Sequence, residues 1–388
     1  MNPLRIFLVS AGLALGISIP LAIGCSSSSS PTQSSPGGDS GPSSDAGTSP
    51  DATGAATDAN DDFVGPGSPP PSMTNLPEAG VFMGAFVDII DGYDAGDATD
   101  TNSEGRYVAA EDLVGRRFVI DNRFYDDSTE IVSDRTLWDV ANNLVPMITW
   151  MPYGNGNPLV EIIQGEHDDW IKSEADKLKA LNVQVLMRWG HEMNGNWYPW
   201  AGYVNGEGGD ADGGDAATDA GGVPSSGPAK YVAAWRHVHD IFAAEGATNV
   251  VWVWCTNSND VPDAPWNHWT LYYPGDDYVD WVGIDAYNWG NSSSCCIWTT
   301  FAGLLTGSPY QDYSAKKPIM LPETASAEVG GNKGAWITAM HQNLETEFRG
   351  IRAVVWFDIN KETDWRIDSS PSSLAAYQAM ALDPYFNP

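Results

Sequence analysis

From Gly80 to the C-terminus the chain repeats one pattern, a short and almost unbroken apolar run followed by a longer segment with helical spacing. Runs that are apolar at successive positions belong to strands covered on both faces. They fall at 81–87, 117–121, 145–150, 183–189, 249–255, 279–285, 318–321 and 351–357, with helices expected between them at 134–143, 170–181, 229–244 and 333–347. Asp134 and Ser173 stand near two of the helix starts as capping residues. Eight such strands alternating with helices are the arithmetic of a single α/β domain, a (β/α)8 TIM barrel. A doubly wound open sheet would show a Gly-rich phosphate loop after its first strand, and none is present.

The N-terminal 77 residues read differently. Arg5 and an apolar stretch over 6–23 form a leader that ends in Leu21-Ala-Ile-Gly-Cys25, similar to the processing site of bacterial lipoproteins. Residues 1–24 are therefore expected to be a signal peptide, with Cys25 the lipidated terminus. A membrane would be met only through that anchor, at the cell surface or in the periplasm, with release to the medium as an alternative. Residues 25–77 are dominated by Ser, Pro, Gly, Asp, Ala and Thr, cannot bury enough apolar surface to offset ordering entropy, and are expected to be a disordered tether. The catalytic domain is then 78–388, interrupted by an acidic, Gly-rich insertion at 205–228. With 19 basic against 51 acidic residues the net charge is −32, which excludes the phosphate neutralisation that nucleic-acid binding requires.

In a barrel the chemistry belongs at the C-terminal ends of the strands. Strand four runs into Arg188-Trp-Gly-His-Glu-Met-Asn-Gly-Asn-Trp-Tyr-Pro-Trp200, and strand seven into Ile319-Met-Leu-Pro-Glu323. Each delivers one glutamate to the mouth, and two facing carboxyl groups are the equipment of glycoside hydrolysis. The 17 Trp, 15 Tyr and 11 Phe suit a ligand with flat, weakly polar faces such as a sugar. His191-Glu192 lacks the second histidine of a zinc protease, since position 195 is Gly, and no metal or cofactor is expected. Cys255 could form a disulfide with Cys295 or Cys296 in an exported chain, leaving one thiol over.

The strand-four stretch resembles the signature of glycoside hydrolase family 26. So do Tyr273-Pro-Gly-Asp-Asp-Tyr-Val-Asp-Trp-Val-Gly-Ile-Asp-Ala-Tyr287, Lys317-Pro-Ile-Met-Leu-Pro-Glu323 and Val355-Trp-Phe-Asp-Ile-Asn-Lys-Glu-Thr-Asp-Trp-Arg366, in the family's order. The resemblance implies a retaining, endo-acting hydrolase of β-mannan or mixed-linkage β-glucan, or alternatively of β-1,3-xylan. It further implies that Glu192 is the acid/base and Glu323 the nucleophile, with His191, Trp197, Tyr287, Trp356 and Trp150 around the sugar. Arg188, Asp280 and Asp285 would support the carboxylates from behind. A monomer is expected. A surface glycan-binding protein without catalysis is the reading from another class.

Overall fold

The computed structural model describes residues 69–87, 103–154, 156–206, 222–294 and 296–388. The segment expected to be a signal peptide, most of the expected tether and the centre of the acidic insertion lie outside the described residues. Eight parallel strands close into one barrel in chain order, β1 pairing with both β2 and β8. They are β1 (Phe82–Val87), β2 (Ile120–Asp126), β3 (Val145–Met151), β4 (Val185–Trp189), β5 (Val250–Asn257), β6 (Trp281–Asn288), β7 (Ile319–Ser326) and β8 (Ile351–Asp358). The helices are α1 (Ser103–Val114), α2 (Asp134–Ala141), α3 (Pro158–Ile163), α4 (Asp168–Leu181), α5 (Gly202–Asn205), α6 (Gly227–Glu245), α7 (Phe301–Leu305), α8 (Pro309–Tyr313), α9 (Lys333–Thr346) and α10 (Pro371–Ala381). All eight expected strands and all four expected helices are present, and the (β/α)8 architecture is the one the repeating pattern requires.

The differences have physical causes. Strand β2 lies further along the chain than 117–121: the polar run Asp121, Asn122 and Arg123 does not end the strand but lies within it. Two of these polar side chains find partners inside the barrel wall: Arg135 Nε donates to Asp121 at 2.7 Å, and Asn122 Oδ1 accepts from Thr149 Oγ1 at 2.7 Å. Strand β7 runs five residues past Leu321, with register shifts in its pairing to β8 at Ile319/Met320 and between Leu321 and Thr324, the stretch that contains Glu323. Helix α2 is capped by Ser133, whose side chain accepts from Thr136 N, and Ser173 lies inside α4 instead of at its start. Helix α6 begins at Gly227, capped by Ser226, so the end of the insertion as delimited at 205–228 is already helix.

The floor of the barrel corrects the tether boundary. Met73 is buried within the interior cluster that includes Phe82, Ile120, Val145 and Trp281. Its carbonyl accepts from Trp281 Nε1 at 2.8 Å, and its N–H donates to Gln184 at 2.7 Å. Burying one methionine side chain contributes about 1.5–3 kcal/mol, and the Pro77 carbonyl accepts a further bond from Arg352 at 2.6 Å. The folded unit therefore includes Met73, ahead of residue 78.

Two layers share the strands. Residues such as Phe82, Ile120, Met147, Leu186, Val253, Met320 and Val355 face the interior, while Trp150, Trp189, Trp254 and Trp356 belong to the larger cluster between barrel and helices. That alternation decides which aromatic residues can reach the mouth.

Candidate active site

Arg188 on β4 points into the upper barrel, where it is fully buried and uses most of its donors. Nη1 donates to both oxygens of Asp285 on β6 at 3.0 and 2.8 Å, Nε donates to Thr149 on β3 at 2.8 Å, and Nη2 donates to Glu323 on β7. The guanidinium also lies 5.5 Å from the centre of the Phe124 ring. Burial opposes its charge, yet Asp285 and then Glu323 hold the guanidinium well above its ordinary range. Glu323 receives a second donor, the Tyr287 hydroxyl, at 2.6 Å from Oε2. Each oxygen of this carboxylate thus accepts one hydrogen bond.

Glu192 reaches the same region by a different backbone device. After β4 the chain turns back over the barrel, with Gly190 and Glu192 both left-handed at φ 53°. A non-glycine residue in that region costs about 1–3 kcal/mol and persists only where its surroundings fix it. Here Glu192 N donates to Cys255 O at 2.9 Å, and Gly195 N donates back to Glu192 O at 2.9 Å. The Trp197 indole donates to Glu192 Oε2 at 2.9 Å and lies so close over Gly195 that a β-carbon there would meet its ring at 2.5 Å.

The electrostatics separate the two glutamates. Glu192 is only 2% exposed, and burial first, then the charges of Asp285 and Glu323, push its carboxyl well above the usual range. Burial, reinforced by Arg188, pushes His191 well below its ordinary value, so this ring brings no balancing charge. One guanidinium faces two committed carboxylates, and a third buried negative charge would stand uncompensated. Burial and these neighbouring charges therefore favour the protonated form of Glu192, whereas both oxygens of Glu323 accept hydrogen bonds. His191, Asp285 and Glu323 place ligand-type atoms within 4.8 Å of one another, but Arg188 already occupies both carboxylates and His191 Nε2 is 3.0 Å from the Tyr198 hydroxyl. That donor set suits a guanidinium better than a metal cation.

A family model described as glycosyl hydrolase family 26 matches residues 156–310, the span that carries Glu192, Asp285 and Tyr287. Endoglucanase H of Acetivibrio thermocellus is 39% identical over 280 residues, 71% of this chain and 29% of that protein. The chain belongs to glycosyl hydrolase family 26. A mannan endo-1,4-β-mannosidase of Bacillus subtilis is 30% identical over 170 residues, 43% of this chain and 38% of its own length. The chain thus spans well under half the length of these curated relatives. Among solved structures, the Bacillus subtilis mannanase BCman superposes with a TM-score of 0.54 over 79% of this chain and 86% of its own, at 20% identity, a likeness of fold alone.

Within this family 26 barrel the expected site residues divide. Arg188, His191, Glu192, Asp285, Tyr287 and Glu323 converge at the upper end, and Trp197 stands partly exposed beside Glu192. Trp356 does not join them. It points outward from β8, fully buried between Trp336 of α9 and Tyr377 of α10, and donates to the Trp365 carbonyl at 2.9 Å. Trp150 likewise faces outward, against Trp170 and Trp189, with its indole donating to Asp127 at 2.8 Å. Neither ring can meet a sugar from that layer. Asp280 precedes β6 at the opposite end of the barrel, where it accepts from Trp252 N at 2.7 Å. It caps backbone there and is not a partner of the glutamates.

Other residues take the places those three leave. Phe124 of β2 covers Arg188 and packs 6.0 Å from His191. Trp289 and Trp365 stand 6.2 and 5.1 Å from the Tyr287 ring and 4.9 Å from each other, with Trp289 partly exposed. Trp365 lies inside the strand-eight motif, so the signal was there, nine residues after the tryptophan first chosen. Tyr198 and Trp200 stack on each other at 4.2 Å and pack against His191. Cys255 is a free, buried thiol 3.8 Å from Arg188, inside the barrel and not in a disulfide; Cys295 lies outside the described residues.

Proposed function

We propose that the protein is an endo-acting, retaining β-glycanase acting on a β-1,4-linked backbone, a mixed-linkage glucan or a mannan. The observation that carries this reading is the unequal treatment of two buried glutamates, one fixed by Arg188 and Tyr287, the other kept protonated by burial and by its neighbours' charge. In the first step a Glu323 oxygen attacks the anomeric carbon while the glycosidic C–O bond breaks, and the Glu192 proton passes to the leaving oxygen. In the second, water attacks the same carbon, its proton passes to the Glu192 carboxylate, and Glu323 leaves. Tyr287 and Arg188 orient the nucleophile, and Asp285 holds Arg188 in place. Trp197 beside one glutamate and Trp289 near the other offer partly exposed rings for sugar stacking.

A glucan backbone is favoured over mannan by Endoglucanase H, which is 39% identical over 71% of the chain. Reducing-end release from lichenan, glucomannan, galactomannan and β-1,3-xylan, with Glu323→Ala as control, tests the reading. Release abolished in the control supports it; binding without release in the native chain favours the glycan-binding alternative. The Leu21-Ala-Ile-Gly-Cys25 segment supports export with a lipid on Cys25, and mass spectrometry of the mature N-terminus checks it.

A further inference from the structure

We infer that Asn194 is a positioning residue for the acid/base, fixing the left-handed turn from which Glu192 reaches the cleft. This rests on the reading of Glu192 given above. Asn194 is fully buried two residues beyond Glu192, and its side chain is the hub of a bridge between the loops after β4 and β5. Its Nδ2 lies 3.0 Å from Asn257 O, 3.2 Å from Asn259 O and 3.0 Å from Asp260 Oδ1. Its Oδ1 accepts from Asn257 N at 2.9 Å. The main-chain carbonyl of Asn194 accepts from Val261 N at 2.8 Å and from Asn267 Nδ2 at 2.7 Å, and Asn267 is held in turn by the Tyr272 hydroxyl at 2.5 Å.

The consequence for Glu192 follows from the turn itself. Gly195 N closes on Glu192 O, so residues 192–195 form one turn, with Glu192 at its left-handed corner. A glutamate does not hold that backbone region unaided. At the other end of the turn, the anchor is Asn194, which fits because an amide both donates and accepts. Alanine would strand the Asn257 N–H and remove the brace at once. The corner would then relax toward ordinary backbone, and the carboxyl, now aimed by the turn and by the Trp197 indole, would leave its alignment with the leaving oxygen.

General-acid help matters for poor leaving groups and little for good ones, and this separates positioning from mere folding. The experiment compares the native chain, Asn194→Ala, Asn194→Ser and Glu192→Ala on the polysaccharide and on the 2,4-dinitrophenyl β-glycoside of the matching disaccharide, with and without azide. Glu192→Ala is expected to lose at least about 100-fold in kcat/KM on the polymer and far less on the aryl glycoside, with azide raising aryl turnover. If it does not, the acid/base reading fails and this inference with it. The inference predicts the same asymmetry for Asn194→Ala, about 10- to 100-fold on the polymer against less than about threefold on the aryl glycoside, with circular dichroism unchanged. Equal losses on both substrates, or no loss on either, would overturn it while leaving the acid/base reading intact. Should the alanine variant not fold, Asn194→Ser, which keeps a smaller polar side chain, is judged by the same asymmetry.

Discussion

Replacing Trp197 by Phe isolates one hydrogen bond. The aromatic body stays, and the indole N–H that reaches Glu192 Oε2 at 2.9 Å is removed. That donor favours the ionised carboxylate, so it works against burial and the Asp285 and Glu323 charges that raise the group. A hydrogen bond to a charged acceptor contributes about 1.5–3 kcal/mol, and one to a neutral acceptor about 0.5–1.5 kcal/mol. The protonation states therefore differ by about 1–1.5 kcal/mol, which at 1.36 kcal/mol per pH unit is about one unit. The sign is fixed: without the donor the carboxyl keeps its proton to higher pH. The alkaline limb of kcat/KM, measured on soluble polysaccharide from pH 5 to 10, should move up by about one unit with the acidic limb in place. An unmoved alkaline limb, or one displaced downward, would refute the assignment of Glu192 as the acid whose proton that bond controls.

Three further outcomes follow from the geometry. Arg188→Met leaves Asp285 and Glu323 buried without their partner and should cost about 3–5 kcal/mol in denaturant unfolding, a loss under about 1 kcal/mol contradicting the buried ion pair. Trp356→Phe should lower the melting temperature while leaving KM for polysaccharide within about twofold, because the ring lies between barrel and helices; a tenfold rise in KM would return it to the sugar site. Burial raises the Asp260 carboxyl to about 6, so the unfolded chain releases its proton first and native stability falls as pH rises from about 4 to 6. Asp260→Asn should remove that component, giving an advantage over the native chain at pH 7 that disappears at pH 4; urea midpoints at both values check it.

Strand number, order and fold class were legible because burial on both faces writes each strand as an apolar run, whatever lies on either side of it. The same fact hid the orientation of individual residues. Trp356 and Phe357 are neighbours of similar hydrophobicity, but Phe357 joins the rings near Tyr287 and Trp356 faces the helices. Trp150 was misplaced for the same reason, one position from Thr149, which supports Arg188. The extent of β2 was obscured by Asn122 and Arg123, polar residues after the apolar run that read as a loop until their partners are known. Met73 could not be recognised as part of the fold, since a lone methionine among serines and prolines carries no periodicity. The glutamates were legible because their strand ends and surrounding motifs agreed. The brace around Asn194 was not, because its partners lie some 63 to 73 residues away and meet only when β4 and β5 pair.

The account turns on Glu323 acting as a nucleophile opposite Glu192, and the configuration of the first-formed product reports on that most directly. Proton NMR of the anomeric region during the first minutes of hydrolysis, before mutarotation, should show the new reducing end as the β anomer, because two displacements restore the starting configuration. Initial formation of the α anomer would mean a single displacement by water, and would remove Glu323 from the role assigned to it.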